Sequence, residues 1–326
     1  MNKIKVGIIG GAGYTAGELC RLLLNHPYAD LGFVHSSSHA GHALADVHEG
    51  LIGETDLCFT DRLDWEGIDV LFFCMGHGRS AQFLAEHDVP PMMRIVDLAQ
   101  DFRLSAPGND YVYGLPELQR DKIRRARHVA NPGCFATAIQ LALLPLAAAG
   151  RLSGDVVVNA ITGSTGAGVK PAATTHFSWR THNLSVYKVF RHQHVAEIRQ
   201  SLTQLQPSFS GHALDFIPYR GDFPRGIFCT AYLHTEATQE EVDEMYARYY
   251  ADAPFTHYVA DRDIDLKQVV NTNKALVHAE VFEGRLLITS CIDNLLKGAS
   301  GQAVENMNLM LGFEPAAGLR LKPQGF

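Results

Sequence analysis

A run of glycines set between an apolar segment and a helical pattern constrains this chain more than anything else in it. Lys3–Ile9 is short, apolar and strand-like. Gly10-Gly11-Ala12-Gly13-Tyr14-Thr15-Ala16-Gly17 follows at once, and Thr15–Leu24 then carries Leu19, Leu22 and Leu23 at helical spacing. Gly11, Gly13 and Ala16 fit G-x-G-x-x-A, and Gly10, Gly13 and Ala16 fit the related G-x-x-G-x-x-A. A strand that turns tightly into a helix brings free backbone N–H groups and the positive end of the helix dipole to one point. That arrangement holds a pyrophosphate. Gly10, Gly11, Ala12, Gly13, Tyr14, Thr15 and Ala16 are therefore the candidate cofactor-binding residues. An NAD site would place Asp or Glu after the second strand to bond the ribose 2′-OH. Here that strand, Leu31–His35, runs into Ser36-Ser37-Ser38, whose hydroxyls suit a 2′-phosphate, so the expected cofactor is NADP (NADPH).

The first half continues in the same rhythm. Val70–Cys74 is apolar throughout, Arg79–Glu86 is a short helix, and Arg94–Leu98 is another strand. Strand–helix alternation with fully apolar strands predicts a doubly wound parallel sheet, an α/β domain of the Rossmann type. The second half differs. Asp155–Ile161 and Ile227–Glu236 are strand-like, Glu240–Tyr250 is an acidic amphipathic helix, and Ala275–Phe282 and Arg285–Asp293 flank the hairpin turn Glu283-Gly284. These patterns predict an α+β second domain with a mixed or antiparallel sheet. No linker separates the halves, so the boundary is expected near residues 130–150. The last helix, Gly301–Leu311, stops at Gly312. Lys297–Leu311 places Ala303, Met307 and Met310 on one face, which suits packing on a sheet. With Asp293-Asn294 at a strand end and Gly298 allowing close backbone approach, Asn294 and Gly298 are expected to contact NADP. The predicted division is 1–148 with 297–326 for NADP binding, and 149–296 for catalysis and dimerisation, with Cys134 at the interdomain cleft.

At 326 residues, 46% hydrophobic, 19% charged and with a net charge of −7, the chain supports two packed domains and excludes disorder. The basic footprint of a nucleic-acid binder is absent. No apolar run is long enough to span a membrane, and the start of the chain reads as a strand and not as a signal peptide. The six cysteines form no C-x-x-C, which points to neither zinc nor disulfides but to a reduced, cytoplasmic protein. His35, His39, His42 and His48 are expected in an exposed loop and not in a metal centre. Cys20, Cys58, Cys74, Cys229 and Cys291 are read as small buried hydrophobes.

Cys134 is the exception. Asn131 is expected to cap a long helix, with Pro132 at its first position and Cys134 in the first turn, where the helix dipole favours a thiolate. A nucleophile needs a proton carrier, and His192 or His194, opening the helix marked by Ile198, Leu202 and Leu205, fits. His192 is the first choice because it precedes the helix. Gly163-Ser164-Thr165-Gly166-Ala167-Gly168 after a strand either shapes a substrate anion pocket or is simply a turn. Arg103, beyond the strand end at Leu98, is placed to hold a phosphate or carboxylate bidentately.

Together these segments resemble the N-acetyl-γ-glutamyl-phosphate reductase family of arginine biosynthesis. Val129–Ala138 with Ala142 and Pro145 is similar to that family's active-site signature. Gly10–Leu19, Val96–Leu104, Tyr113–Leu118, Arg191–Ile198 and Asp293–Asn308 resemble its other marked segments. Departures fall at Ser38–His39, Lys170 and Val195, none of them at the nucleophile. The resemblance implies a fold similar to aspartate-semialdehyde dehydrogenase, with a small-molecule substrate and a homodimer or homotetramer. It implies NADPH reduction of an acyl phosphate to a semialdehyde through a Cys134 thioester, with a proton moved by His192 or His194. Around the substrate it implies Arg103, which would hold the phosphoryl group, with Asn131, Ser164, Gly166 and Arg225. The alternatives are a related dehydrogenase of another N-acylglutamyl or amino-acid phosphate, or a Cys–His acyl transferase. Which acyl group the substrate carries is written in no motif.

Overall fold

The computed structural model describes residues 3–323 and 325. The ends of the expected domain ranges, residues 1–2, 324 and 326, lie outside the described residues. In chain order the elements are β1 (Ile4–Ile9), α1 (Tyr14–Leu23), β2 (Ala29–His35), α2 (Leu44–Val47), β3 (Val70–Phe73), α3 (Arg79–Glu86), β4 (Arg94–Asp97), β5 (Val112–Tyr113), α4 (Pro116–Arg125) and β6 (His128–Ala130). There follow α5 (Cys134–Ala148), β7 (Val156–Thr162), α6 (Phe177–Arg180), β8 (Ser185–Val186), α7 (His194–Leu205), β9 (Leu214–Arg220), β10 (Ile227–His234), α8 (Gln239–Tyr250), β11 (Thr256–Tyr258), β12 (Ala275–Phe282), β13 (Arg285–Ile292) and α9 (Gly301–Met310).

The chain divides into two compact units. One runs to Pro132 and takes in Ala299–Arg320. The other is Gly133–Gly298 with the chain from Leu321 on. The first holds a six-stranded sheet in the order β2-β1-β3-β4-β6-β5, every pairing parallel. Its central strand β3 is buried at all four residues, as a strand covered on both faces must be. α9 belongs to this unit. It is no one-faced helix, since all ten residues are buried, Gln302, Glu305, Asn306 and Asn308 included. Its polar side chains fasten it: Asn306 Nδ2 donates to Gly114 O (2.8 Å) and to Asn131 Oδ1 (3.0 Å), and Asn308 Oδ1 sits 3.0 Å from His26 Nε2.

The second unit is built on a seven-stranded mixed sheet, β11-β12-β13-β10-β7-β9-β8. β12 and β13 form the expected hairpin, in register from Ala275↔Ile292 to Phe282↔Arg285, with Glu283 and Gly284 at positive φ in the turn. α5 packs on β10 and β13 and against α7 and α8, which buries Phe135 through Ala147. The division therefore falls between Pro132 and Gly133, not after residue 148. α5 is apolar all round, and the second sheet covers it. β9 is missing from the sequence reading because Pro218 interrupts its pattern. A proline is tolerated there because the neighbour on one side, β8, is only two residues long.

Candidate active site

In the second unit, α5 begins two residues later than its capping pattern suggests. Gly133, extended at φ −71° and ψ 150°, is the N-cap, and Cys134 is the first helical residue. Asn131 does not cap the helix. Its N–H donates to Asp97 O (2.7 Å), continuing the β4–β6 ladder, and its side-chain amide donates to Ala299 O (3.1 Å). Pro132 is likewise outside the helix. Cys134 nonetheless sits at the helix N-terminus, half-buried, at the positive end of the dipole. The other cysteines differ. Burial pushes the Cys20 thiol up to about 12 and the thiols of Cys74, Cys229 and Cys291 higher still. Cys58, expected to be buried, is exposed on a loop outside either sheet.

Both histidines meet this turn. His194 is the first residue of α7, and its imidazole lies where a side chain on Gly133 would go, so only glycine fits before Cys134. Glu197, one helical turn on, places Oε1 3.9 Å from His194 Nε2 while Oε2 accepts the Gly133 N–H at 3.0 Å. One buried carboxylate thus touches both the histidine and the N-cap. Glu197 lies in the segment Arg191–Ile198, yet the sequence reading assigned it no role. The His-x-x-Glu spacing, which puts both on one helix face, was the available signal. His192 packs among Phe135, Phe216 and Tyr187, with ring centroids 5.5, 5.5 and 5.8 Å away, and its Nδ1 accepts the His194 N–H at 3.3 Å. Burial first, and then the Lys188 charge, lowers its pKa to about 4, so it is neutral at pH 7.

The glycine-rich loop Gly163–Gly168 is a braced turn. Thr165 Oγ1 donates to Pro224 O (2.6 Å) and accepts from Asn294 Nδ2 (3.0 Å), and Asn294 Oδ1 accepts the Gly226 N–H (2.7 Å). Asn294, expected at the nicotinamide, thus has both ends of its amide engaged beside the Ser164–Gly166 turn. Gly298 too has a nearer neighbour than a ligand. A Cβ on it would stand 2.9 Å from Cys134 Cβ and 3.3 Å from Asp293 O. Arg225 forms a two-pronged pair with the buried Asp293 (Nε–Oδ2 3.0 Å, Nη2–Oδ1 3.1 Å). Asp293 also accepts the N–H groups of Asn271, Leu295 and Leu296, which fixes the turn leading to Gly298.

In the first unit, the glycine turn between β1 and α1 fits a dinucleotide. Gly10 is at φ +85° with the Cys74 backbone 2.9 Å from where its Cβ would be, so the fold itself requires that glycine. Gly13 is different. Its φ of −87° is ordinary and nothing lies within 4 Å of its Cβ position, while no side chain caps α1. Open space and uncapped N–H groups meet there, as a pyrophosphate needs. His48 also braces this turn: its Nε2 lies 2.7 Å from Gly11 O and its ring fills the room left by Gly17. It sits outside the glycine pattern, so spacing could not reveal it. After β2, Ser36 Oγ and Ser38 Oγ lie 3.3 and 2.9 Å from His39 Nδ1, and Ser37 is exposed. Arg103 is buried, donating Nε to Asn131 O and Nη2 to Leu98 O, each at 2.8 Å. Among the described residues, no group of three or more His, Cys, Asp or Glu is placed to hold a metal ion.

Residues 5–126 match the family model of the semialdehyde dehydrogenase NAD binding domain, and 134–294 that of the semialdehyde dehydrogenase dimerisation domain. An N-acetyl-gamma-glutamyl-phosphate reductase of Bacteroides thetaiotaomicron is 63% identical over 323 residues, covering 99% of this chain and 100% of the relative. The reductase of that name from Flavobacterium johnsoniae is 51% identical over 327 residues, again covering 99% and 100%. Among solved structures, aspartate semialdehyde dehydrogenase II from Vibrio cholerae superposes with a TM-score of 0.72 at 18% identity, covering 95% of this chain and 99% of that one. Aspartate semialdehyde dehydrogenase with NADP from Candida albicans gives 0.73 at 14% identity, with the same coverage. At such identities these structures share the fold alone.

Proposed function

The chain belongs to the N-acetyl-gamma-glutamyl-phosphate reductases within the semialdehyde dehydrogenases, and from that premise we propose how its residues carry the reaction. It is an oxidoreductase that binds a nicotinamide dinucleotide and links an acyl phosphate to a semialdehyde. Cys134 Sγ attacks the γ-carbonyl of N-acetyl-γ-glutamyl phosphate, phosphate leaves, and a thioester remains on Cys134. The nicotinamide cofactor, when bound, supplies the hydride that reduces this thioester to a thiohemiacetal. The C–S bond then breaks, returning the thiolate and releasing the semialdehyde. The carbonyl oxygen carries negative charge on the way, beside the N–H groups at the start of α5. The observation that carries this reading is the junction of Cys134 at a helix N-terminus with His194 pressed on its N-cap and Glu197 bonded to that cap.

His194, oriented by Glu197, moves the proton; His192, neutral and packed behind it, holds the His194 backbone in place. Arg103 receives the departing phosphate, with Asn131, Ser164, Gly166 and Arg225 framing the substrate. Gly10–Ala16 cradle the pyrophosphate. NADP is the cofactor because the turn after β2 offers Ser36, Ser37 and Ser38 with His39 and no carboxylate. A reducing cytoplasm keeps Cys134 as a thiol. Outward-facing Tyr232, Phe282 and Leu287 on β10, β12 and β13 are exposed, and they supply the apolar face for a homodimer. The test is phosphate-dependent reduction of NADP with N-acetylglutamate semialdehyde. The wild type should turn over and prefer NADP in kcat/KM, and Cys134→Ser should bind NADPH but lose turnover. Equal activity in Cys134→Ser, or preference for NAD, would remove the corresponding step.

A further inference from the structure

β9 alternates across its two faces, and one row reads Leu214, Phe216, Pro218, Arg220. The row is fixed to the helix side of the sheet, because Phe216 packs on Phe135 and His192 with centroids 5.2 and 5.5 Å away. Arg220 is the last member of that apolar row, a cation where the pattern calls for a hydrophobe. Its guanidinium lies 4.7 Å from the centre of the Tyr187 ring, and Tyr187 in turn stands 5.8 Å from His192. Cys134 lies close enough to Tyr187 that its charge adds to burial in raising the phenol's pKa.

Two other arginines of this region, Arg225 and Arg180, are committed. Arg225 is paired with Asp293, and Arg180 donates to the carbonyls of Arg220, Thr174 and Asn183. The nearby Asp222 accepts the His182 N–H at 2.5 Å. Arg220 forms no ion pair among the described residues. Its hydrogen bonds go to neutral side chains only, a long one from Nη1 to Thr174 Oγ1 at 3.4 Å and one with Tyr187, and its Nε is buried with no partner. A buried guanidinium N–H without an acceptor is expensive, and a carboxylate is the acceptor its planar fork fits. Three non-glycine residues at positive φ, His182, Lys188 and Phe190, hold the segment that carries Tyr187 over this strand end.

We propose that Arg220 is the receptor for the carboxylate at the non-reacting end of the substrate, so that β9 and Tyr187 measure the distance from that carboxylate to Cys134. The inference rests on the reading above, in which Cys134 attacks the opposite end of an N-acylated glutamyl chain. Arg220 lies one aromatic ring behind His192. That suits the far carboxylate and not the phosphate expelled from the attacked carbon.

The experiment runs the reaction from the semialdehyde. In Arg220→Gln the KM for N-acetylglutamate semialdehyde should rise about 10–100-fold, with a smaller rise in Arg220→Lys. The KM for inorganic phosphate, the Kd for NADP and the alkylation rate of Cys134 by iodoacetamide should stay at wild-type values, which also reports an intact fold. The α-carboxamide analogue of the semialdehyde should be penalised by a similar factor in the wild type and by none in Arg220→Gln. Unchanged semialdehyde KM in both variants, continued discrimination against the carboxamide by Arg220→Gln, or a rise confined to the phosphate KM would each overturn the assignment while leaving the reductase reading intact. A wild type that fails to turn over the semialdehyde would remove both.

Discussion

At the scale of single residues, the site is a matter of what stands against Cys134. Sequence spacing singled out this cysteine among six, and it identified the two histidines of the turn. Sequence could not show that Gly298 packs on Cys134, because the two are far apart in the chain and a glycine advertises no partner. A methyl group there must displace Cys134 or its turn. Gly298→Ala is therefore expected to slow Cys134 alkylation and reductase turnover together while the Kd for NADPH holds; an unchanged alkylation rate would count against the contact. His192 has a folded pKa of about 4, against an ordinary value of 6.5, because burial disfavours its cation. Between those values the unfolded chain binds more protons than the folded one, so stability rises with pH across that window and is lost on acidification through it. Thermal melts of wild type and His192→Gln should diverge above pH 6.5 and converge towards pH 4. Because His192 stays neutral at pH 7, His192→Gln should leave the shape of the kcat/KM profile near neutrality as in the wild type, as pH–rate profiles would show.

At the scale of elements, α5 shows how a locally unfavourable residue survives. Pro145 has no N–H, so the Leu141 carbonyl loses its helical donor inside a helix buried from Phe135 to Ala147. The Tyr250 hydroxyl of α8 donates to that carbonyl, and Tyr246 donates to Ala142 O next to it at 2.6 Å. Tyr250→Phe should destabilise the protein by about 1–3 kcal/mol, and by less in a Pro145→Ala background, where the helix donor returns. Denaturant titration of the four-variant cycle measures this, and additive losses would contradict it. The sequence reading saw Pro145 only as part of a family signature; which groups would replace its missing donor depends on how α8 lies on α5. The glycine turn was legible as a pattern because strand, glycines and helix are contiguous. Its brace His48 was not, because it arrives from a different segment.

At the scale of the whole molecule, an outer face on β10, β12 and β13, where exposed Tyr232, Phe282 and Leu287 lie beside Glu280 and Arg285, supports assembly. Leu287 and Tyr232 pair across the two strands with substantial exposure. Tyr232→Asp with Leu287→Asp should shift sedimentation from a dimer towards a monomer without unfolding the second unit; a wild type that sediments as a monomer would refute the homodimer. The amino-acid sequence by itself determined the two kinds of sheet, the glycine turn between β1 and α1, the place of Cys134 at a helix start and the return of the final helix to the first unit. Each of these is written in contiguous residues or in the periodicity of one element. Only the tertiary structure decided where the chain divides, because an apolar helix such as α5 suits either sheet until packing chooses. Packing likewise decided that Asn131 joins a strand ladder in place of a helix cap, that Glu197 serves His194 and the N-cap together, and that Arg220 ends an apolar row with a buried donor unmatched. These depend on side chains brought together across long sequence separations, and no local propensity encodes such meetings.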